Sequence, residues 1–301
     1  MPISLYPITP DFAAEVGEID LSRPLLDTDL QAVRQAFTKY AVLVFPAQQL
    51  SGDDHLEFAR NFGPLETNVL ASLGVKMRVR EEIADVANMD ANGRVWAADS
   101  RVRLFQMGNR LWHTDSSFKS PTAYASMLYA RSIPPIGGHT EFADLRAAYA
   151  ALPEAMKTKL QGLGAWHSLM YSRAKLGFTE FNDAERKSFT PVCRPLVRTI
   201  PETGRPSLYM ASHVGRVEGM DDADALALLA ELTAHATQRQ FVYTHRWRVG
   251  DLVMWDNRCT MHRGTEFEDT RYPRDMQRAT TSDRADAFGM LEEAVAVSAE
   301  Y

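Results

Sequence analysis

The chain has 301 residues, with 33 Lys and Arg against 39 Asp and Glu, a formal net charge of −6. Its 45% hydrophobic and 24% charged residues are ordinary for a folded globular domain and exclude a disordered or fibrous chain. No run approaches the roughly 20 apolar residues that a membrane span needs, and a mildly acidic surface is a poor match for nucleic acid. Two cysteines give no disulfide framework, and the N-terminus lacks the basic start and apolar core of a signal peptide. The expected home is therefore a reducing cytoplasm.

The chain shows no repeat and no linker, so a single domain over 1–301 is expected. Leu30, Val33, Phe37 and Tyr40 recur at helical spacing and predict a helix over 28–40. A short apolar strand, 41–45, follows and is stopped by Pro46. Ser51 is placed to cap a second helix, 52–62, before Gly63-Pro64. From about 70 to 109 the pattern is charged and weakly periodic. A segment of that length ahead of the chemically suggestive residues reads as an active-site lid.

Beyond it, strands are predicted at 124–130, 138–142, 196–200, 207–210, 241–247, 251–255 and 278–281. Helices are predicted at 144–151, 153–163 and 222–237. Many short strands without strand–helix alternation argue against a Rossmann sheet. They favour a mainly β double-sheet barrel decorated by helices.

Three of the eight histidines stand two residues before an acid: His55/Glu57, His113/Asp115 and His139/Glu141. Residues at i and i+2 share a face of a strand but diverge around a helix. His55 falls in a predicted helix and fails. The other two pairs could each present an imidazole and a carboxylate together. A second imidazole would complete the facial set of two neutral nitrogens and one carboxylate that leaves a non-heme Fe(II) open to other ligands. His262 is the best supplier, at the end of a strand–turn–strand pattern over 251–262. Cys259, at i and i+3 from His262, would face the other way, which argues against structural zinc.

Arg274 and Arg278 would share one side of a strand, about 13 Å apart. Guanidiniums turned inward need anions, which their planar fork suits. The alternative is a solvated face paired with Glu266, Glu268 and Asp269.

With 24 residues between Asp115 and Thr140 and 11 between His262 and Arg274, the pattern His-x-Asp…Thr…His…Arg resembles the Fe(II)/2-oxoglutarate dioxygenases of the taurine dioxygenase family. The segments VLVFPAQQLS, FARNFGPLE, LWHTDSSF, GGHTEFADLRAAYAALP, HATQRQFVYTHRW and VGDLVMWDNRCTMHRG are similar to the branch that holds the 2,4-dichlorophenoxyacetate dioxygenases. The resemblance implies a distorted jelly-roll, the cupin-like double-stranded β-helix. It implies iron held by His113, Asp115 and His262, and the distal carboxylate of 2-oxoglutarate held by Arg274 and Thr140. On the substrate side it implies Arg278, His213 and Asn109. If Thr140 points inward, His139 and Glu141 point outward and that rival pair dissolves.

The resemblance further implies O₂ as oxidant, ascorbate as a helpful additive in vitro, and a homo-oligomer. The expected substrate is a small anionic aromatic molecule. Hydroxylation beside the carboxylate of an aryloxyalkanoate would give a phenol and glyoxylate, with succinate and CO₂ from the co-substrate. Phe118, Trp112, Met170 and Tyr171 are candidates for the aryl wall. A sulfonate or alkyl sulfate substrate and a non-catalytic metal-binding cupin are the alternatives.

Overall fold

A computed structural model describes residues 3–68 and 78–283. In chain order the strands and helices are β1 (Ser4–Pro7), β2 (Ala13–Gly17), α1 (Asp27–Tyr40), β3 (Val42–Phe45), α2 (Gly52–Arg60), β4 (Ile83–Asp85), α3 (Arg101–Gln106), β5 (Ala123–Ser132), β6 (Thr140–Asp144), α4 (Leu145–Ala150), α5 (Glu154–Leu160) and β7 (Gly164–His167). There follow α6 (Leu169–Ala174), α7 (Asp183–Ser188), β8 (Val192–Pro195), β9 (Val197–Thr199), β10 (Pro206–Leu208), β11 (Val214–Val217), α8 (Asp222–Ala236), β12 (Val242–His245), β13 (Leu252–Asp256), β14 (Thr260–Gly264) and β15 (Asp275–Ser282). A short 3₁₀ turn, Met107–Arg110, continues α3.

The predicted helices at 28–40, 52–62, 144–151, 153–163 and 222–237 all form, each within a few residues of its expected ends. Ser51 caps α2 as expected, accepting from the Asp54 backbone while Asp54 returns a bond to Ser51. Ala41 is not part of the strand that follows α1. It takes a left-handed conformation (φ 61), and its N–H closes the helix on the Phe37 carbonyl, so the chain reverses sharply into β3. Of the expected lid, 70–77 lie outside the described residues, while 78–109 carry β4, α3 and the 3₁₀ turn.

Seven strands form one sheet in the order β1-β2-β3-β13-β5-β15-β4, antiparallel except for the β2–β3 pair. A second sheet runs β12-β6-β14, a third β11-β7-β8, and β9 pairs with β10. The fold is mainly sheet, with helix and strand each at 28%, and the described strands do not join into one closed barrel.

Strand alternation sends one face of the large sheet to the helices and the other to the second sheet. Leu43, Phe45, Met127, Leu252, Met254 and Ala279 pack with Val33 and Phe37 of α1 and Leu56 of α2. Their neighbours Val42, Val44, Leu128, Val253, Trp255 and Met276 pack with Phe142 of β6. Ser126, Arg278 and Thr280 fall on that same inner face by period two, at the level where the apolar filling stops. This is where the polar side chains gather.

Candidate metal centre and its surroundings

The segment ahead of β5 lies against β14 through a single antiparallel bridge. The His113 N–H donates to the His262 carbonyl at 2.9 Å, and the His262 N–H donates back at 2.8 Å. Directly opposed residues project to the same side of a ladder, so the imidazole centroids stand 4.1 Å apart. Asp115, two residues on, turns its carboxylate between them. Its Oδ1 is 3.8 Å from His113 Nε2 and its Oδ2 is 3.7 Å from His262 Nε2.

The three donor atoms lie within 4.8 Å of one another, and all three residues are buried. These separations are too long for hydrogen bonds and suit groups gathered about a common ion. Two imidazoles and one carboxylate on one side, with the remaining directions free, match the donor set of a non-heme ferrous site. The described residues thus fit the metal that the sequence implied.

Surrounding bonds fix the donors. His113 Nδ1 donates to the Leu111 carbonyl at 2.7 Å, which leaves the Nε2 lone pair facing Asp115. Burial lowers the pKa of both histidines, and the Arg278 charge depresses them further against the pull of Asp115, which favours the neutral form that binds metal. Burial would raise Asp115, but Arg278, His262, His113 and the Ser126 hydroxyl together hold it down to about 2. Ser126 Oγ donates to Asp115 Oδ2 at 2.7 Å and accepts from Asn257 Nδ2 at 2.9 Å. Asn257 Oδ1 also accepts from the Asp115 backbone at 3.2 Å. Arg278 Nη1 donates to Asp115 Oδ1 at 2.6 Å. Ser126 and Asn257 were not among the expected site residues. The only signal for Ser126 was a lone hydroxyl inside an apolar strand.

Thr140 and Arg274 are both buried. The Trp247 indole N–H donates to Thr140 Oγ1 at 3.0 Å, so the hydroxyl's own proton is left for another acceptor. Arg274 sits one residue ahead of β15. Its backbone N–H donates to Asn88 Oδ1 at 2.7 Å, and Asn88 Nδ2 donates to the Asp269 and Tyr272 carbonyls. Burial lowers the Arg274 guanidinium to about 10, and its Nε has no partner. The solvated-face alternative does not hold, because Asp269 pairs with Arg103 and Arg110 and Glu268 with Arg271. At Gly138 (φ 65) an added Cβ would collide with Pro134, so the turn beside the Arg274 side chain requires glycine.

A cavity of about 910 Å³, mouth included, is lined by His113, Asp115, His213, Arg278 and Asn109, together with Phe105, Phe118 and Leu169. A second, of about 590 Å³, is lined by Arg274 and shares Val86, Gln106 and Asn109 with the first. Asn109 thus borders both spaces. Trp112, Met170 and Tyr171 do not line the main cavity, where Phe105 and Leu169 stand instead. Trp112 packs on the core beneath α8 with Arg263 over its ring, and the Tyr171 ring lies against Gly215.

The remaining histidine pairs separate as expected. His55 is buried against the Met127 carbonyl while Glu57 pairs with Arg60 at the surface. Glu141 pairs with Arg263, outward of Thr140. Cys259 packs in the core between the two sheets, away from the donor group. Among the described residues, no helix is long and apolar enough to cross a membrane.

Residues 4–280 match the family model described as "Taurine catabolism dioxygenase TauD, TfdA family". The chain is 46% identical over 286 residues to the alpha-ketoglutarate-dependent 2,4-dichlorophenoxyacetate dioxygenase of Cupriavidus pinatubonensis, covering 95% of this chain and 99% of that one. It is 37% identical to the (S)-phenoxypropionate/alpha-ketoglutarate-dioxygenase of Sphingobium herbicidovorans, covering 89% and 91%. Among solved structures it is similar to AAD-2 in complex with Mn(II) and N-oxalylglycine. The TM-score is 0.87 at 44% identity, over 94% of this chain and 98% of that one.

Proposed function

The chain belongs to the TauD/TfdA family of dioxygenases, and from that premise we propose that it oxidises aryloxyalkanoates at the carbon beside the carboxylate. It is an Fe(II)- and 2-oxoglutarate-dependent oxidoreductase. The observation that carries the substrate reading is identity to a 2,4-dichlorophenoxyacetate dioxygenase along nearly the whole of both chains. The cavity supports it by joining cationic groups to apolar aromatic walls.

With 2-oxoglutarate and O₂, bound Fe(II) supplies the oxidation, releasing succinate and CO₂ and adding one oxygen atom to a substrate C–H. In this reading His113, Asp115 and His262 hold the metal from one side. Arg274 and the Thr140 hydroxyl take the distal carboxylate of 2-oxoglutarate. Arg278, His213 and Asn109 border the substrate, whose aryl end rests on Phe105 and Phe118. The chain's work is positioning: the carboxylate is fixed so that the adjacent carbon faces the metal. With an aryloxyacetate, hydroxylation there yields a hemiacetal, which collapses to a phenol and glyoxylate. In the same reading the two packed sheets belong to one distorted jelly-roll domain, with 70–109 as its lid.

The test is a panel of aryloxyacetates, 2-aryloxypropionates and sulfonates with Fe(II), ascorbate and 2-oxoglutarate, scored for succinate and for the organic product. A phenol formed in step with succinate, with glyoxylate from the acetates or pyruvate from the propionates, supports the proposal. Sulfite and an aldehyde from the sulfonates alone would move the substrate to the sulfonate class.

A further inference from the structure

Arg173, on α6, is a buried cation whose anion is missing. Its side chain lines the main cavity and is only 6% exposed. Among the described residues no carboxylate acts on it: burial, then the like charge of Arg278, pushes its guanidinium down to about 10. Its Nη1 donates to Ser172 Oγ at 3.2 Å, its Nε has no partner, and the guanidinium lies 4.6 Å from the Phe105 ring centroid. The head is also fitted to Gly108, where any Cβ would collide with it. Burying a guanidinium without an anion is costly, so a position built this closely calls for a ligand that brings one.

The neighbouring groups do not meet that need. Arg278 already has an anion in Asp115. Ser172 spends its single proton on the Leu169 carbonyl at 2.7 Å, so its Oγ accepts from His213 Nδ1 at 2.8 Å. Burial, and then the Arg173 charge, push the His213 pKa well below its ordinary value. On this network its Nε2 carries a lone pair, which repels a carboxylate rather than binding it.

We propose that Arg173 is an anion anchor of the substrate site, gripping the carboxylate of an aryl-bearing acid beside Phe105 and Phe118. The proposal rests on the reading that the substrate is an aryloxyalkanoate. It adds a specificity-determining residue that the sequence pattern did not suggest.

The test uses binding as well as turnover. The enzyme loaded with Mn(II) and 2-oxoglutarate is titrated anaerobically with 2,4-dichlorophenoxyacetate and with its uncharged primary amide. The wild type, Arg173→Gln and Gly108→Ala are compared; the last keeps the arginine but displaces its head. Loss of a charge-assisted bidentate contact predicts that both variants bind the acid about tenfold or more weakly. Affinity for the amide and for 2-oxoglutarate should stay the same. Parallel loss for acid and amide, or an unchanged preference for the acid in both variants, overturns the anchor. If the wild type turns over no aryloxy acid but the preference collapses in both variants, the anchor stands and the proposed reaction falls. If turnover is coupled and the preference survives, the reaction stands and the anchor falls.

Discussion

His113 and His262 are opposed residues of one two-bond backbone bridge, 2.9 and 2.8 Å, and their rings stand 4.1 Å apart. The metal-binding geometry is therefore set by the backbone before any side chain is placed. A single bridge between a loop and β14 does what two adjacent ladder positions would do in a regular sheet. Asp115 then needs only the turn that follows.

Because the bridge uses main-chain atoms, His113→Ala should keep the fold while losing the metal. Iron content after reconstitution should fall to background, and succinate formation should fall at least about a hundredfold, with thermal unfolding little changed. Normal succinate production by this variant would refute the ligand assignment.

Ser126 does not line the main cavity, yet it holds Asp115 Oδ2 at 2.7 Å and is itself held by Asn257. Ser126→Ala should weaken metal affinity by about 10–100-fold, as outer hydrogen-bond partners of metal ligands usually do. Titration with Fe(II) or Mn(II) followed by calorimetry measures it. With saturating metal, most of the activity should return.

The residues that touch chemistry were legible in the sequence, and those that hold them in place were not. His113, Asp115 and His262 stand out by type and spacing, because metal binding admits few substitutes, whereas the co-substrate roles of Thr140 and Arg274 entered only through the family resemblance. The start of α2 was legible because the Ser51 cap is a local bond; Asp144, expected as the first residue of its helix, is the residue that caps it. Asn257, Asn88 and Trp247 act across contacts of more than 100 residues in sequence, which no local pattern encodes. Arg173 was hidden differently. It sits in a short helix with no charge pattern around it, and only burial without an anion sets it apart. Short strands reveal their number but not their closure, so the sequence carried the mainly-sheet class further than the way the sheets join. Among the described residues, the sheets pack face to face as separate ladders.

Arg274 and Arg278 should separate in kinetics. Arg274→Ala should raise the KM for 2-oxoglutarate about 10–100-fold, the cost of a lost charge-assisted bond. Arg278→Ala should raise the requirement for the aryloxy acid more than that for 2-oxoglutarate. It should also leave the Asp115 carboxylate less firmly oriented, because the 2.6 Å bond from Arg278 Nη1 to Oδ1 is lost. Equal effects of the two variants on both substrates would mean that the arginines do not divide the work.

His55 offers a test of stability against pH that is independent of the metal centre. It is fully buried in α2, its Nε2 donates to the Met127 carbonyl at 3.0 Å, and burial lowers its pKa from 6.5 to about 4. In the window between these values the unfolded chain binds the proton and the folded chain does not, so stability falls as pH falls. The contribution is complete above pH 6.5 and diminishes towards pH 4, by about 2 kcal/mol between pH 7.5 and 5. Urea unfolding at those two pH values, for the wild type and for His55→Leu, isolates the effect. The variant loses a buried hydrogen bond and is less stable at pH 7.5, but it should lose about 2 kcal/mol less on acidification. An equal acid-induced loss in both proteins would show that the His55 imidazole takes up its proton without unfolding.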